Sequence, residues 1–347
     1  MRKIQKFIEK NLYKRSLISY FLLPLSLKFV FLQIVRRSIY RNFPLLSYKS
    51  NIKIISVGNI VSGGSGKTPF TIFLAKKLSE KGKKVAVSHR GYKGKFEYGN
   101  KLISDREKMF DFAVDAGDEA FLLASKLKGI PVIAGKNRRL SVKILEKKFP
   151  DLDYIILDDS FQHLRVKHDL DFVVFNEIGG IGNGFVLPAG ILREPLSALK
   201  YADCLVFNGE KKVPEYLKKT EKPIVKISYE ISRFYDFEEN EISFSRLKNS
   251  RIALLSAIGQ PKSFEKTVQN AGLKFVKHFR FPDHYDYSES LVLAKIREKL
   301  KKDKVEFLLT TEKDFAKLKF RKTGLPLIVV AIRLKSDEDY LFSIMRE

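Results

Sequence analysis

The sequence predicts an α/β protein built on a doubly wound parallel sheet, with a second, smaller α/β domain and an N-terminal amphipathic helical segment. Short apolar and β-branched runs alternate with helical segments from residue 52 onward, as parallel strands with crossover helices require. A Gly-rich loop separates the first strand from the first helix. A strongly basic, apolar segment precedes both, so three regions of different character are expected.

The composition is that of a globular protein with an anionic partner. Hydrophobic residues make up 44% of the 347 residues and charged residues 30%, which excludes a disordered chain. Cys204 is the single cysteine, so no internal disulfide is expected and the setting is reducing and cytosolic. The formal net charge of +25 predicts binding to phospholipid headgroups, a phosphorylated substrate or nucleic acid.

Residues 1–48 are predicted to form a basic, apolar helical segment at a membrane interface. Eleven Lys and Arg stand against one acid in residues 1–50. The apolar stretch 17–35 approaches the length of a transmembrane helix, but Pro24 and Lys28 interrupt it, which favours a helix lying in the interface. A helix docked on the protein's own core is the alternative. A signal peptide is disfavoured because no small-residue cleavage site follows.

The larger domain is predicted for residues 49–228, a β-ribbon connector for 229–246 and the smaller domain for 247–347. The connector alternates with a period of two around a polar turn. In the larger domain the sequence predicts a helix at 67–80 and strands at 52–57, 85–88, 131–134, 154–158, 172–175 and 204–207. In the smaller domain it predicts helices at 262–270 and 288–301, and strands at 251–256, 274–279, 305–311 and 325–332.

The run GGSGKT, residues 63–68, indicates a phosphate-binding loop because it stands between a predicted strand and a predicted helix. Backbone amides and the helix N-terminus would surround the phosphates, with Lys67 on the β- and γ-phosphates and the Thr68 hydroxyl on Mg²⁺. The strict motif has Gly where Val61 stands. A Gly-rich connector without nucleotide is disfavoured by this context. The domain is therefore P-loop NTPase-like, and the nucleotide ligands predicted are Val61, Ser62, Gly63, Gly64, Ser65, Gly66, Lys67 and Thr68.

An apolar strand ends in two aspartates, Asp158 and Asp159, in the run YIILDDSFQH. Acids at this position hold Mg²⁺ in P-loop enzymes, which makes both aspartates and Thr68 the predicted metal ligands. One aspartate would suffice, and helix capping is the alternative for either one alone. Which of the two holds the metal stays open.

Further charged residues lie in loops or at helix starts. Asp118 and Glu119 begin an amphipathic helix in AGDEAFLLA, where capping is the alternative interpretation. His284 follows an acid in FPDHYDY, and a histidine there is usually structural. Arg90 and Arg193 stand in Gly- or Pro-bounded loops suited to phosphate contacts, although most loop arginines are simply solvated.

Seven motifs, in order, carry a family resemblance: VGNIVSGGSGKTPF, SHRGY, GDEAFLLA, LDDSFQH, GNGFVLPAGILREP, FPDHYDY and TTEKD. Together they resemble the tetraacyldisaccharide 4′-kinase family of the lipid A pathway. The resemblance extends from the N-terminal apolar segment to about residue 320. Ser160 and Ala120 depart from a common Gly and Pro of that family, and neither departure removes a side chain used in the chemistry.

The resemblance implies transfer of the ATP γ-phosphoryl group to the 4′-hydroxyl of a tetraacylated glucosamine disaccharide 1-phosphate. ATP and Mg²⁺ are the implied cofactors, and the partners are the lipid A disaccharide precursor and an anionic membrane surface, with no nucleic acid and no protein partner. The implied location is the cytoplasmic face of the bacterial inner membrane, as a peripheral or monotopic protein. The domain at residues 49–228 is then a P-loop kinase domain.

The resemblance also suggests roles for individual residues. Lys67 neutralises phosphate charge, and Asp118 is the candidate base, which we expect His284 from the smaller domain to assist. His163 is the main competitor of His284. The expected substrate contacts are Arg90, Glu119, Gln162, His163, Arg193 and Glu194.

Two other functions are compatible with a phosphate loop. A GTPase or ATP-driven switch would need only the loop and a metal carboxylate, but guanine specificity usually requires Asn/Thr-Lys-x-Asp, and the nearest string, residues 311–314, has the wrong order. A basic scaffold with a degenerate nucleotide site is disfavoured because Lys67, Thr68 and both aspartates are present.

Overall fold

The computed structural model describes residues 11–92, 94–283, 285–287, 290–319 and 324–345. The strands are β1 Lys53–Gly58, β2 Val85–His89, β3 Lys101–Ser104, β4 Val132–Ala134, β5 Tyr154–Asp158, β6 Leu170–Asn176, β7 Cys204–Asn208, β8 Ile224–Tyr235, β9 Ile252–Ser256, β10 Phe275–Arg280, β11 Phe307–Thr311 and β12 Leu327–Ser336. The α-helices are α1 Leu17–Phe21, α2 Leu23–Asn42, α3 Lys67–Glu80, α4 Asp118–Lys126, α5 Arg138–Lys148, α6 Glu215–Lys218, α7 Phe244–Lys248, α8 Pro261–Asn270, α9 Ser290–Lys302, α10 Glu312–Leu318 and α11 Glu338–Met345.

All twelve of these strands belong to one sheet, in the order β10-β9-β11-β12-β8-β7-β6-β1-β5-β2-β4-β3. Neighbours pair in parallel except at the β3–β4 edge and between β8 and β12. Strands β2, β7 and β9 are buried along their whole length, because helices cover both faces of a parallel sheet. The predicted α/β class with a mostly parallel sheet is confirmed.

Two halves of the sheet meet at the antiparallel pair. We call the strands β1 to β7 with their helices the N-terminal half, and β9 to β12 with theirs the C-terminal half. Strand β8 pairs with β7 on one side and with β12 on the other, from Tyr235 opposite Val329 to Ile227 opposite Ser336. The sheet is therefore continuous across the two halves.

The partner of β8 differs from the one that the sequence predicted. Residues 229–235 are the end of this strand, but the second arm expected within 229–246 is reduced to one bridge between Tyr235 and Glu241. Asp236 Oδ1 accepts hydrogen bonds from the backbone N–H groups of Glu238 and Asn240, each 2.9 Å, and ends the strand in a turn. The ribbon is completed by β12 instead. The predicted domain boundaries remain predictions.

The C-terminal helix returns to the N-terminal half. Leu341, Phe342 and Met345 of α11 are buried in the same hydrophobic cluster as Phe73 of α3 and Val225 of β8. Residues 338–345, which the sequence grouped with the smaller domain, thus pack on the core of the larger one.

The sheet register brings the candidate site together. Strands β1 and β5 are parallel neighbours with Val57 opposite Asp158, and β2 flanks β5 with Ser88 opposite Leu157. Carboxyl ends of parallel neighbours lie at one edge of a sheet, where ligands bind in open α/β folds. The loop after β1, the aspartates after β5 and His89 at the end of β2 therefore meet at this edge.

The N-terminal helices dock on the N-terminal half through polar contacts and through Phe29 and Val30, which pack against its hydrophobic cluster. Ser26 Oγ donates to the Val186 carbonyl at 2.8 Å and accepts from the Ala189 N–H at 3.0 Å. The opposite side carries large apolar side chains in solvent, with Leu17 88% and Phe21 85% exposed. One side of these helices is thus docked on the protein, the alternative that the sequence left open, and the other side is uncovered; the membrane placement stays a prediction. Among the described residues, no helix has both the length and the hydrophobicity that crossing a bilayer requires.

Candidate functional site

The phosphate loop connects β1 to α3, as the sequence predicted. Gly66 precedes the helix with φ +94°, and a Cβ there would lie 2.4 Å from the hydroxyl oxygen of Tyr229. Both the left-handed backbone and this close approach require glycine. Asn59 Nδ2 donates to Ser65 Oγ at 2.9 Å, and this hydrogen bond ties the loop to the end of β1.

The placement of Val61 explains why the strict glycine motif is not needed at this position. Val61 forms an antiparallel bridge with Leu192 and is buried in the adjoining hydrophobic cluster. Ser62 N–H donates to the Ile191 carbonyl at 2.7 Å, and Arg193 N–H donates to the Ile60 carbonyl at 2.7 Å. The loop is thus anchored to the segment that carries Arg193.

The two aspartates after β5 have different surroundings. Asp158 is 1% exposed, and its two carboxylate oxygens accept from Thr68 Oγ1 at 3.0 Å and from Thr71 Oγ1 at 2.9 Å. Burial raises the pKa of Asp158. Its position beside the Thr68 hydroxyl, at the end of the strand next to the phosphate loop, is that of a metal-holding acid.

Asp159 is paired with cations instead. Its Oδ1 lies 3.5 Å from Lys67 Nζ and 3.1 Å from Arg193 Nη1. Burial opposes ionisation of Asp159, but the charges of Lys67 and Arg193 outweigh it and lower the pKa to about 2. The backbone at Asp159 is left-handed, with φ +53°, a conformation that few residues other than Gly, Asn and Asp adopt. The structure thus distinguishes the two acids that the sequence left equivalent.

His89 and Glu119 form a hydrogen-bonded pair beside Asp158. His89 Nε2 lies 3.3 Å from Glu119 Oε2 and 3.8 Å from Asp158 Oδ2. The Gly91 N–H donates to His89 Nδ1 at 2.9 Å, so Nδ1 is unprotonated and the ring proton is on Nε2. Burial opposes ionisation of Glu119, but the His89 hydrogen bond and the Lys313 charge hold its pKa well below the ordinary range.

These groups open into a cavity of about 1240 Å³ between the two halves. The phosphate loop, Arg193 and Glu119 line it from the N-terminal half, and Lys313 and Asp283 line it from the C-terminal half. Its volume exceeds the range of about 300–1,000 Å³ that is usual for small-ligand pockets. It can therefore receive a nucleotide together with part of a second substrate.

A family model described as tetraacyldisaccharide-1-P 4′-kinase matches residues 18–347. The chain belongs to this family.

Curated relatives and a solved structure agree with the family match. A tetraacyldisaccharide 4′-kinase of Desulfotalea psychrophila is 32% identical over 91% of this chain and 93% of its own length. A tetraacyldisaccharide 4′-kinase of Pelobacter propionicus is 33% identical over 91% of this chain and 88% of its own length. LpxK from Aquifex aeolicus, solved in complex with ATP, superposes with a TM-score of 0.75 at 30% identity, over 95% of this chain and 99% of that one.

Of the acids that begin α4 in this kinase, Glu119 lines the cavity and Asp118 does not. Asp118 Oδ2 pairs with Lys317 Nζ at 2.8 Å, and Lys317 also donates to the Tyr285 carbonyl at 3.1 Å. The predicted partner, His284, lies outside the described residues. The Asp118–His284 dyad therefore stays a prediction.

Three predicted substrate contacts, Glu194, Gln162 and His163, are not on the cavity wall, and the first two bind arginines of α2 instead. Glu194 is 1% exposed and accepts from Arg37 Nε at 2.7 Å and Nη2 at 3.0 Å. The backbone carbonyl of Gln162 accepts from Arg36 Nη2 at 2.8 Å, and its side-chain Nε2 donates to the backbone carbonyl of Asn59 at 2.7 Å. Burial and the charge of Arg138 lower the pKa of His163 to about 4, so its imidazole is neutral at physiological pH.

The other predicted contacts, Arg90 and Arg193, line the cavity. Arg90 is oriented by Glu97, with Nε 3.1 Å from Glu97 Oε1. The kinase also has a buried arginine that sequence reasoning missed: Arg138, 2% exposed, donates to Ser88 Oγ at 3.2 Å and to the Asp158 carbonyl. Its guanidinium fixes the backbone that carries both aspartates.

Residues 311–314 are not arranged as a guanine-binding motif. Asp314 is fully buried, where its carboxylate accepts from the Ala257 N–H and the Tyr287 hydroxyl at 3.0 Å each. Lys313 instead pairs with acids at the cavity. The guanine-specific alternative loses its candidate motif.

Proposed function

We infer that this chain transfers the γ-phosphoryl group of ATP to the 4′-hydroxyl of a tetraacylated glucosamine disaccharide 1-phosphate, a step of lipid A biosynthesis. One observation carries the inference: a phosphate loop and a metal-type aspartate open into a cavity between two halves, in a chain of the tetraacyldisaccharide 4′-kinase family. A relative that was solved in complex with ATP supports ATP as the donor.

We propose Mg²⁺ as the metal. The Thr68 hydroxyl and the Asp158 carboxylate, 3.0 Å apart, offer hard oxygen ligands, and Mg²⁺ in kinases takes few protein ligands and completes its shell with phosphates and water. This donor set therefore fits. When bound, Mg²⁺ supplies positive charge to the β- and γ-phosphates.

The chain's own residues then position the two substrates and neutralise their negative charge. Lys67 contacts the γ-phosphate, and Arg193 and Arg90 offer positive charge to the anionic groups of the two substrates. Asp159 holds Lys67 and Arg193 toward each other, which keeps both cations at the cavity before the substrates arrive. The sugar oxygen forms the new bond to Pγ while the bond from Pγ to the β-phosphate oxygen breaks, and ADP leaves. We propose that the hydroxyl proton passes to the candidate base Asp118, which requires the Asp118–Lys317 pair to open, because Asp118 does not line the cavity in this structure.

A transfer assay with purified protein tests the activity. With γ-labelled ATP and tetraacylated disaccharide 1-phosphate in detergent micelles, we expect one labelled lipid and one ADP per turnover. The matched control is the same lipid already phosphorylated at the 4′ position, which should stay unlabelled. ATP hydrolysis without labelled lipid, or faster turnover with GTP, would contradict the proposal.

We propose that α1 and α2 bring the site to an anionic membrane, at the cytoplasmic face of the inner membrane where ATP is present. Their outer side exposes Leu17 and Phe21, and basic side chains are exposed along the same segment, with Lys14 before α1, Lys28 within α2 and Arg41 near its end. Apolar burial and attraction to anionic headgroups act together in interfacial helices. The lipid substrate would then be reached without leaving the bilayer.

The double variant Leu17→Ser/Phe21→Ser is expected to bind anionic vesicles at least about tenfold more weakly, because burying one such side chain is worth about 1.5–3 kcal/mol. Vesicle sedimentation measures this. Point variants are preferable to truncation, since removing Arg37 would leave Glu194 buried without its cation. Leu291→Ser, at a position 73% exposed on α9, is the matched control. Equal binding by the double variant and wild type would show that the exposed side has another role.

A further inference from the structure

Lys313 joins the two halves at the mouth of the cavity. It lies in the first turn of α10, and its side chain is 15% exposed. Its Nζ lies 2.9 Å from Glu119 Oε1 in the N-terminal half and 3.2 Å from Asp283 Oδ1 in the C-terminal half. Thr311 caps the helix by accepting from the Asp314 N–H at 3.1 Å, so the backbone that carries Lys313 is fixed.

A series of polar contacts leads from Lys313 to the phosphate loop. Glu119 binds Lys313 through Oε1 and His89 through Oε2. His89 Nε2 lies 3.8 Å from Asp158 Oδ2, and that oxygen accepts from Thr68 Oγ1. Glu119 contacts its two partners through separate oxygens, so Lys313 helps to orient it toward His89, and His89 in turn lies against the same Asp158 oxygen that Thr68 binds.

Charge makes the lysine necessary to this arrangement. Glu119 and Asp283 both approach Lys313, and a cavity that receives phosphates is a costly place for two carboxylates without a cation between them. Without Lys313 the two acids repel each other, and Glu119 loses the contact that holds it against His89.

We propose that Lys313 is a positioning residue for phosphoryl transfer: by bridging Glu119 and Asp283 it sets His89 and Asp158 for catalysis only when the two halves are closed. This inference rests on the proposed function. It assigns the lysine of the TTEKD motif to the alignment of the site, with no direct contact to the transferred phosphate.

The test compares Lys313→Met with Lys266→Met. Lys266 of α8 also spans the halves, with Nζ 2.9 Å from Glu177 Oε1, but it does not line the cavity. We expect Lys313→Met to lower kcat about 10–100-fold, the usual cost of losing an outer-shell contact, with KM for ATP changed less than about threefold. Lys313→Arg should recover part of kcat, and Lys266→Met should stay within about twofold of wild type.

A double-variant cycle with Glu119→Gln identifies the path. If Lys313 acts through Glu119, then Lys313→Met should add less than about threefold to the loss already caused by Glu119→Gln. A multiplicative loss would indicate direct contact with the phosphate and overturn the proposal. Equal losses in Lys313→Met and Lys266→Met would overturn it as well, since the ion pair would then serve only the interface.

A second readout is independent of lipid phosphorylation. The series ends at Asp158, so Lys313→Met should raise the Mg²⁺ concentration needed for half of the ATP-induced shift in Tm, by about threefold or more. Lys266→Met should leave it unchanged. A wild-type chain that fails to label the lipid would refute the proposed function, whereas an unchanged Mg²⁺ requirement in Lys313→Met would refute the positioning role.

Discussion

Lys67→Ala is expected to lower kcat by about three orders of magnitude while the protein remains folded. Phosphoryl transfer spreads negative charge over the oxygens of the γ-phosphate, and a fixed cation at that place stabilises the transition state more than the ground state. Lys67 begins α3, and its side chain is 13% exposed, so little water competes for its charge. Preorganised charges of this kind contribute about 10²–10³-fold or more.

The fold should survive this substitution because the partner of Lys67 keeps a second cation. Asp159 remains paired with Arg193 Nη1 at 3.1 Å, so no buried carboxylate is left alone. Steady-state kinetics and thermal unfolding together measure the effect. Lys83→Ala, at an exposed position in the loop after the same helix, is the matched control and should behave as wild type. Normal turnover in folded Lys67→Ala would remove the phosphate loop from the mechanism.

Asp118→Ala and His284→Ala are each expected to lower kcat about 10²–10⁴-fold, the usual contribution of a general base. An aspartate with an ordinary pKa of about 3.9 is a weak proton acceptor at neutral pH. In addition, Asp118 is paired with Lys317 Nζ at 2.8 Å and does not line the cavity, so this pair must open before Asp118 can reach the substrate hydroxyl. Asp118 therefore needs assistance, which we expect from His284.

If the two residues act as a unit, the double variant should be little slower than the slower single variant. The competing histidine, His163, has its pKa lowered to about 4 by burial and by Arg138, which makes it a poor base near neutral pH. Asp115→Ala, which removes a surface pair with Lys95 just before α4, is the matched control. Independent losses that multiply, or a His284→Ala enzyme with normal kcat across the pH profile, would refute the dyad.

Much of the sheet could be predicted from local sequence. The helix after the phosphate loop was predicted at 67–80, the bounds of α3, and β5 was predicted at its observed residues. These elements follow from apolar runs and a Gly-rich turn, which are local signals. The pairing of β8 with β12 joins segments about a hundred residues apart, and the four-residue strand β3 has only two buried apolar residues, which lie on opposite faces of the sheet. No short window of sequence contains both β8 and β12, and β3 is too short to show a periodic pattern of apolar residues.

The candidate site, too, could be predicted only in part from local sequence. Both acids of α4 were candidates, but only the structure distinguishes them, because the helix begins after Gly117 at φ +91° and this sets the direction of each side chain. His89 was missed because a histidine that ends an apolar strand is usually structural. The available signal was its place at the carboxyl end of the strand beside the phosphate loop. Lys313 could not be predicted, since its partners come from distant segments.

The return of α11 to the first core gives the chain a nested architecture. The polypeptide leaves the N-terminal half along β8, builds the C-terminal half, comes back along β12 and ends with Leu341 and Phe342 buried beside Phe73. The C-terminal half is thus an insert with two attachment points, and it cannot be removed as a tail without uncovering the core of its host. Two antiparallel strands also resist shear along their axes better than one linker, since sliding breaks the whole hydrogen-bonded ladder. Any movement of the C-terminal half relative to its host is therefore shared by both attachments.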